Sequence, residues 1–384
     1  MSTTGKTFTV PLNEENWILT PAEAGLDGTW SGSIQMRTLH GGRQEGVKVI
    51  DVDNGVTAFR VVPTRGMSVH SVRCGDVTLA WDSPVDEIVH PAHINLDSRG
   101  GLGWLDGFNE WMVRCGTEFA GHPGEDNGHM LNLHGKAGNI PASSVEVVID
   151  NDAPHRIRLR GLIEEKAFKF VNYELRTEVS TAPGEAGLHF SDVLHNLGAY
   201  DTEYQIIYHT NFGAPLLDEN AIFLAPFKTV TPFDDYAAKD IANWTRYLGP
   251  TRDYGEQVYC VEPYADANNQ TLVMLRNADG DRGAAMRFDT ETLPYFTLWK
   301  NTDTLEEGYV TGLEPGTGFP YNRSVERRFN RVPRIGSGET RTFSMSVSVL
   351  RGSAAVSATE AEITALQADR PSQVNSAPAT PPSD

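Results

Sequence analysis

Three polar clusters in the sequence combine a titratable side chain with glycine or proline turns. The first holds His134, the second holds His209 at the end of an aromatic and β-branched run, and the third holds Glu314. Two histidines and one glutamate in a single cleft would supply an acid, a base and a polarising donor near neutral pH. The alternative is structural, with histidines that cap turns and a glutamate in an extended surface segment. Long stretches of chain separate the clusters, so only the fold could bring them together.

The elements that must position these residues read as β-strands. The turn 53–55, Asp-Asn-Gly, separates two β-rich runs and predicts an early hairpin. After Pro141 the alternation of apolar and polar residues continues to about residue 350, with few helical stretches. This pattern predicts an all-β fold, a large antiparallel β-sandwich. The predicted strands after Pro141 are 145–150, 156–164, 169–180, 188–196, 203–208, 221–224, 257–261, 271–276, 284–288, 295–299 and 340–350.

The sandwich is predicted to span residues 31–352, after an entry segment over 1–30. Within it, residues 83–132 form an irregular insertion rich in glycine and histidine, and such insertions are more often functional than idle. Trp104, Phe108 and Trp111 occur there at helical spacing, which predicts a helix face packed on the core. Residues 353–384 are predicted to form a short helix and a disordered tail rich in proline, serine and alanine.

Composition excludes several classes of partner. The chain has 384 residues and a formal net charge of −19, which argues against nucleic acid and against an anionic membrane surface. Its three cysteines are widely spaced, and no metal-ligand spacing or nucleotide-binding glycine motif occurs, so we predict neither a metal nor a cofactor. The sequence has no apolar segment of signal-peptide or membrane-spanning length, and a cytoplasmic protein is expected.

The order of the three clusters resembles the galactose mutarotase-like superfamily, the aldose 1-epimerases, and in particular its poorly characterised bacterial branch. The resemblance covers roughly residues 30 to 350. It rests on the pair His134-Gly135, on His209 followed by Phe212, and on Glu314-Pro315 followed by Asn322. Family membership implies a supersandwich of antiparallel sheets with an open sugar cleft.

The resemblance also implies roles for individual residues. Glu314 would be the general base that removes the proton of the anomeric hydroxyl, and His209 would be the general acid that protonates the ring oxygen. His134 would hydrogen-bond to that oxygen, and Arg65 would be a substrate-binding arginine. Ring opening, rotation about the C1–C2 bond and reclosure would then exchange the α and β anomers.

Further substrate-binding residues are predicted from their types and surroundings. An aromatic ring can stack on the apolar face of a sugar while a neighbouring ammonium binds an oxygen, as Trp299 and Lys300 could do. Arg65, Lys136, Lys300 and Arg323 would hold an anionic group if they converged. The predicted substrate-binding set is Arg65, His93, Glu118, His122, Asn211, Trp299, Lys300 and Asn322.

The sequence therefore predicts a carbohydrate epimerase, most simply an aldose 1-epimerase, that acts on a monosaccharide or its derivative without a cofactor. One alternative is an epimerase or lyase that transfers a proton at a carbon next to the carbonyl of a keto-sugar. Another is a sugar-binding protein on the same scaffold without catalysis. The partner expected in each case is a small-molecule carbohydrate.

Overall fold

Strands make up most of the regular secondary structure in the computed structural model, which describes residues 5–382. In chain order they are β1 (Gly5–Thr9), β2 (Asn16–Leu19), β3 (Ser33–Thr38), β4 (Lys48–Asp53), β5 (Thr57–Val62), β6 (Ser68–Cys74), β7 (Val77–Leu79), β8 (Met112–Thr117), β9 (Gly124–Asp126), β10 (His129–Leu131), β11 (Ser144–Asp150), β12 (Ile157–Lys166), β13 (Asn172–Thr181), β14 (Gly187–Asn196), β15 (Thr202–Glu203), β16 (Gln205–Gly213), β17 (Ile222–Leu224), β18 (Phe227–Pro232), β19 (Gln257–Pro263), β20 (Gln270–Arg276), β21 (Arg282–Asp289), β22 (Tyr295–Asn301), β23 (Val310–Gly316), β24 (Arg334–Ile335), β25 (Thr340–Arg351) and β26 (Gln373–Val374).

Two large sheets form the sandwich, and this confirms the predicted fold class. The first sheet has the order β1-β11-β12-β13-β14-β25-β21-β20-β17. The second has the order β2-β3-β4-β5-β6-β8-β16-β23-β22-β19-β18-β26, with β7 paired to β6. Their strand pairs are antiparallel, except that β18 and β26 run parallel. Two small ribbons, β9-β10 and β15-β24, complete the strand pairing of the described residues.

The main hydrophobic core lies between the two sheets. Along β12 the buried residues Ile157, Leu159 and Ile163 alternate with more exposed ones, as a strand with one covered face requires. These side chains join one buried cluster with residues of the second sheet such as Tyr208 and Leu313. Each strand predicted after Pro141 overlaps an observed strand. The prediction succeeds because burial of one face of a strand makes apolar and polar residues alternate along the sequence.

Two central strands of the second sheet were missed by the sequence analysis. All six residues of β8 and all seven of β23 are buried, so neither strand alternates between apolar and polar residues. β8 lies inside the segment predicted to be irregular, and Glu314 lies within β23 rather than in a turn. Met112 of β8 and Leu313 of β23 face the main core, and on its other face β8 packs Val113 and Cys115 in a second buried cluster with Trp104 and Leu133.

Helices are few and short. They are α1 (Pro21–Ala24), α2 (Ser98–Gly101), α3 (Asp235–Ala238), α4 (Arg323–Arg328) and α5 (Ser353–Gln367), with 3-10 helices at Gly42–Gln44, Pro63–Arg65, Pro91–His93, Gly103–Gly107, Ala137–Asn139 and Ile241–Asn243. Within residues 5–382 no helix has both the length and the apolar character needed to cross a bilayer.

The chain beyond α5 is ordered against the sheet, and the prediction of a disordered tail is wrong for residues 370–375. β26 pairs with β18, and the Asn375 amide donates to Thr231 Oγ1 at 2.8 Å. The Arg370 guanidinium lies 4.0 Å from the centre of the Tyr264 ring. Composition alone predicts disorder here, whereas an edge strand with unpaired backbone groups binds even a short polar segment.

Candidate active site

The candidate active site lies on the face of the second sheet that is turned away from the main core. His209 in β16 and Glu314 in β23 stand on adjacent antiparallel strands. Tyr208 donates to buried Asp192 across the core at 2.8 Å, so its neighbour His209 points to the opposite face. His209 Nε2 and Glu314 Oε1 are 3.2 Å apart, with side-chain exposures of only 6% and 2%. The fold thus places an acid–base pair in direct contact.

His134 joins this pair from a tight turn after β10. Its backbone N–H donates to Gly121, its carbonyl accepts from Gly116, and its φ is +60°. The next residue, Gly135, has a φ of +73°, and a Cβ there would lie 2.2 Å from the Phe119 carbonyl oxygen. The His-Gly turn is therefore a packing requirement. It brings the His134 ring edge-on to His209, with 5.2 Å between ring centres.

The protonation of these groups follows from burial. Removal from water raises the pKa of Glu314 well above its usual value, and the negative charge of Glu256 raises it further. Burial lowers the pKa of His209 to about 4, although the hydrogen bond that His209 makes to Asn211 Oδ1 opposes this change. Burial lowers the pKa of His134 well below 6.5, and the neighbouring His209 and His122 act in the same direction. Burial therefore favours the uncharged form of all three side chains.

Aromatic rings surround the pair. The ring centres of Trp104, Phe108 and Trp299 lie 5.8, 5.3 and 5.5 Å from that of His209. Trp299 is partly exposed, and its Nε1 donates to Glu256 at 3.1 Å. Aromatic rings of this kind can pack on the C–H faces of a sugar ring.

The predicted helix face of Trp104, Phe108 and Trp111 is not formed. Only Gly103–Gly107 is helical, as a 3-10 helix. Trp104 and Phe108 line the site, whereas Trp111 packs in the main core against Phe190, with 6.3 Å between ring centres. Helical spacing was misleading because the chain leaves the helix before Phe108. Trp104 and Phe108 are thus site residues that the sequence analysis assigned to the core.

Arg65 is not available to a substrate, which corrects its predicted role. Its side chain is fully buried, with NH2 2.8 Å from Oε1 of the equally buried Glu110. Arg65 Nε and NH1 donate to the carbonyl oxygens of Gly138 and Val89 at 3.3 and 3.1 Å. An arginine at the end of a strand can pair with a carboxylate of the protein instead of a ligand. A sequence motif does not distinguish between these two roles.

The predicted pairing of Trp299 with Lys300 at a sugar is also wrong. Neighbouring residues of a strand point to opposite faces, so only Trp299 faces the site. Lys300 Nζ donates to the carbonyl oxygens of Asn243 and Arg246 at 3.2 and 2.6 Å, and its pKa falls to about 8 through burial. It also lies 5.1 Å from the centre of the Tyr247 ring.

Asn211 contacts His209 and is itself enclosed by the protein. It is fully buried, and its Oδ1 lies 2.7 Å from His209 Nδ1. Its amide nitrogen donates to the Glu110 carbonyl oxygen at 2.9 Å. The side chain is thereby held by protein groups on both sides, so its predicted contact with substrate is replaced by a contact with His209.

Two further predicted binding residues, His122 and Asn322, contact each other. His122 is near enough to affect the pKa of His134, and its ring stacks on Phe233 with 4.9 Å between centres. Asn322 caps α4 by accepting from Ser324 N–H at 3.0 Å, and its amide donates to the His122 carbonyl oxygen at 3.3 Å. Asn322 therefore bonds to the backbone of His122 and to the start of α4.

Glu118 and His93 are not placed at the acid–base pair. Glu118 is part-buried in a separate charged cluster with Glu165, Lys136 and Arg323, where burial raises its pKa. His93 is exposed on the 3-10 helix Pro91–His93. Sequence proximity to glycine turns did not predict which of these residues would reach His209.

Metal chemistry has no evident site in the described chain. Among residues 5–382 no group of three or more histidine, cysteine, aspartate or glutamate side chains is arranged to hold a metal ion. The three cysteines are buried and unpaired, and burial raises the pKa of Cys115 well above its usual value.

Comparison with known proteins identifies the family. A family model described as a domain of unknown function, DUF4432, matches residues 44–349. The chain belongs to this family. A crystal structure of a Klebsiella pneumoniae protein, provisionally named an aldose 1-epimerase, is 44% identical to this DUF4432 protein. The alignment covers 98% of this chain and 99% of the other, with a TM-score of 0.95.

More distant structures share the fold. A galactose mutarotase-like protein from Clostridium acetobutylicum is 12% identical over 88% of this DUF4432 protein and 99% of its own chain, with a TM-score of 0.54. A galactose 1-epimerase from Lactobacillus acidophilus is 12% identical over 84% and 100%, with a TM-score of 0.51. No curated protein sequence matches the chain. The architecture is therefore that of the galactose mutarotase-like sandwich.

Proposed function

We propose that this DUF4432 protein is an aldose 1-epimerase that acts on an uncharged monosaccharide. The observation that carries the proposal is the buried contact of 3.2 Å between His209 Nε2 and Glu314 Oε1, with the ring of His134 beside it. Opening a hemiacetal removes one proton from the anomeric hydroxyl and adds one to the ring oxygen, so two groups that hold one proton between them suffice. The name of the Klebsiella pneumoniae relative supports the same reaction class.

In this mechanism Glu314 as carboxylate accepts the anomeric hydroxyl proton while His209 as imidazolium donates to the ring oxygen. The C1–O bond to the ring breaks as the C1 carbonyl forms, and His134 hydrogen-bonds to the ring oxygen. Rotation about C1–C2 followed by the reverse proton transfers closes the opposite anomer. Trp104, with its ring centre 4.8 Å from that of His134, packs beside this region.

The charges around the pair favour a substrate without phosphate or carboxylate. The charged neighbour that shifts the pKa of Glu314 is another carboxylate, Glu256. Three of the four cations that could have held an anion have partners elsewhere: Arg65 pairs with Glu110, Lys300 with carbonyl groups on the other face of the sheet, and Arg323 with Asp126 at 2.6 Å. The fourth, Lys136, lies in the charged cluster of Glu118. A negatively charged sugar would thus meet negative charge without compensation.

Anomer exchange measured by polarimetry and proton NMR tests the proposal. Freshly dissolved pure anomers of uncharged aldoses are compared with the corresponding 6-phosphates and uronic acids, with the Glu314→Gln variant as the control. We expect faster exchange than in buffer for an uncharged aldose, and loss of this acceleration in the variant. Acceleration that persists in the variant would refute the assigned role of Glu314.

Two other outcomes would replace the proposal with an alternative. Incorporation of deuterium from D₂O into a C–H bond of a keto-sugar would indicate proton transfer at carbon, because anomer exchange leaves every C–H bond intact. Sugar binding without exchange, in both the wild-type protein and Glu314→Gln, would indicate a binding protein.

A further inference from the structure

We propose that Asn211 is a positioning residue, which holds the Nδ1 proton of His209 and thereby confines one transferable proton to the contact between His209 Nε2 and Glu314. The catalytic consequence rests on the proposed epimerase function, whereas the position of the proton can be measured without any substrate. No part of this role requires Asn211 to touch the sugar.

The orientation of the Asn211 amide is determined by a backbone carbonyl. The Glu110 oxygen can only accept a hydrogen bond, so the group that lies 2.9 Å from it must be the Asn211 NH₂ group. The opposite end, Asn211 Oδ1, then faces His209 Nδ1 at 2.7 Å. Because a carbonyl oxygen only accepts, Nδ1 must carry the proton.

The Glu110 carbonyl is itself held in place. Its oxygen also accepts from Trp81 Nε1 at 3.0 Å, and the Glu110 carboxylate pairs with buried Arg65. The backbone N–H of Asn211 donates to the Trp111 oxygen at 2.5 Å. The buried Arg65 thus holds the side chain of the residue whose carbonyl orients Asn211, although Arg65 lies out of reach of a substrate.

The proton count of the pair follows from this tautomer. With its proton on Nδ1, neutral His209 leaves Nε2 free to accept a proton at 3.2 Å from Glu314 Oε1, and the carboxyl group then carries the single transferable proton. A buried pair in contact is favoured in this neutral form because neither partner needs solvation as an ion.

Ring opening needs no proton from outside the pair. Transfer of the carboxyl proton to Nε2 generates the carboxylate and the imidazolium with the same total count. The carboxylate then takes the anomeric hydroxyl proton as the imidazolium donates to the ring oxygen. The open-chain complex again contains neutral His209 and protonated Glu314, and ring closure reverses each transfer.

Nitrogen NMR of the wild-type protein labelled with ¹⁵N-histidine tests the tautomer directly. The signals of His209 are assigned by their loss in His209→Gln. Near pH 7 we expect Nδ1 to be protonated and Nε2 to be unprotonated. A proton on Nε2, or two tautomers in comparable amounts, would overturn the inference whatever the protein catalyses.

Two substitutions separate positioning from a general structural effect. Asn211→Leu removes the acceptor, so both tautomers should appear and kcat should fall by about 10²-fold, with little change in KM. Asn211→Asp retains an acceptor, so it should keep the Nδ1 proton and move the acidic limb of the pH profile to higher pH. Thermal unfolding verifies that both variants fold.

The outcomes of these experiments separate the inference from the proposed function. If Asn211→Leu folds and keeps the wild-type tautomer, the positioning role is refuted. If the tautomer behaves as expected but no aldose undergoes accelerated exchange, the epimerase function fails while the assignment of the proton stands.

Discussion

Two buried glutamates near the site should respond in opposite ways to the same substitution. Burial raises the pKa of Glu314 well above its usual value, which favours the protonated form, and a protonated glutamate resembles a glutamine in shape and charge. Glu110 lies with Oε1 2.8 Å from NH2 of Arg65, and both side chains have 0% exposure. We therefore expect Glu314→Gln to affect catalysis and Glu110→Gln to affect stability.

The magnitudes follow from these environments. Loss of one partner of a buried ion pair leaves an uncompensated charge, so Glu110→Gln should lower the free energy of unfolding by about 3–5 kcal/mol. Glu314→Gln keeps a polar group against His209 and should change this free energy by less than about 1 kcal/mol. Its kcat should fall roughly 10²- to 10⁴-fold, as removal of a general acid–base group does.

Urea unfolding followed by tryptophan fluorescence, together with anomer exchange at pH 7, measures both effects on the same preparations. Circular dichroism in the absence of urea controls for misfolding. If Glu314→Gln destabilised the protein as much as Glu110→Gln, Glu314 would be ionised in the native state and the neutral pair would be refuted. If Glu110→Gln left stability unchanged, the buried Arg65–Glu110 pair would not be energetically coupled.

The remaining predictions concern pH and two neighbouring residues of one strand. The profile of kcat/KM against pH should be bell-shaped. Activity falls as the pH decreases through about 4, where His209 gains a second proton, and it falls again as the pH rises through the raised pKa of Glu314, where the pair loses its transferable proton. A single acidic limb near pH 6.5 would contradict this assignment. Trp299→Ala should raise KM for an aldose by roughly 10-fold, since one aromatic contact contributes about 0.5–1.5 kcal/mol. Lys300→Met, on the opposite face, should leave KM unchanged, and equal effects of the two variants on KM would refute the division between the faces.

The sequence by itself predicted the fold class, which the structure confirms, and three residues of the candidate site. Alternation along segments such as β12 predicts strands because one-sided burial leaves a period of two in the chain. His134, His209 and Glu314 were found through their glycine and proline surroundings. At His134 the structure gives the physical reason, since the turn leaves no room for a side chain at Gly135.

Only the tertiary structure decided which side chains face the site and which are paired with other groups of the protein. β8 and β23 are buried on both faces, so their sequences do not alternate between apolar and polar residues. Arg65 and Lys300 look like ligand-binding residues until the fold supplies Glu110 to one and two carbonyl groups to the other. The protonation of Glu314 depends likewise on burial and on the strand beside it, because pKa is a property of the environment rather than of residue type.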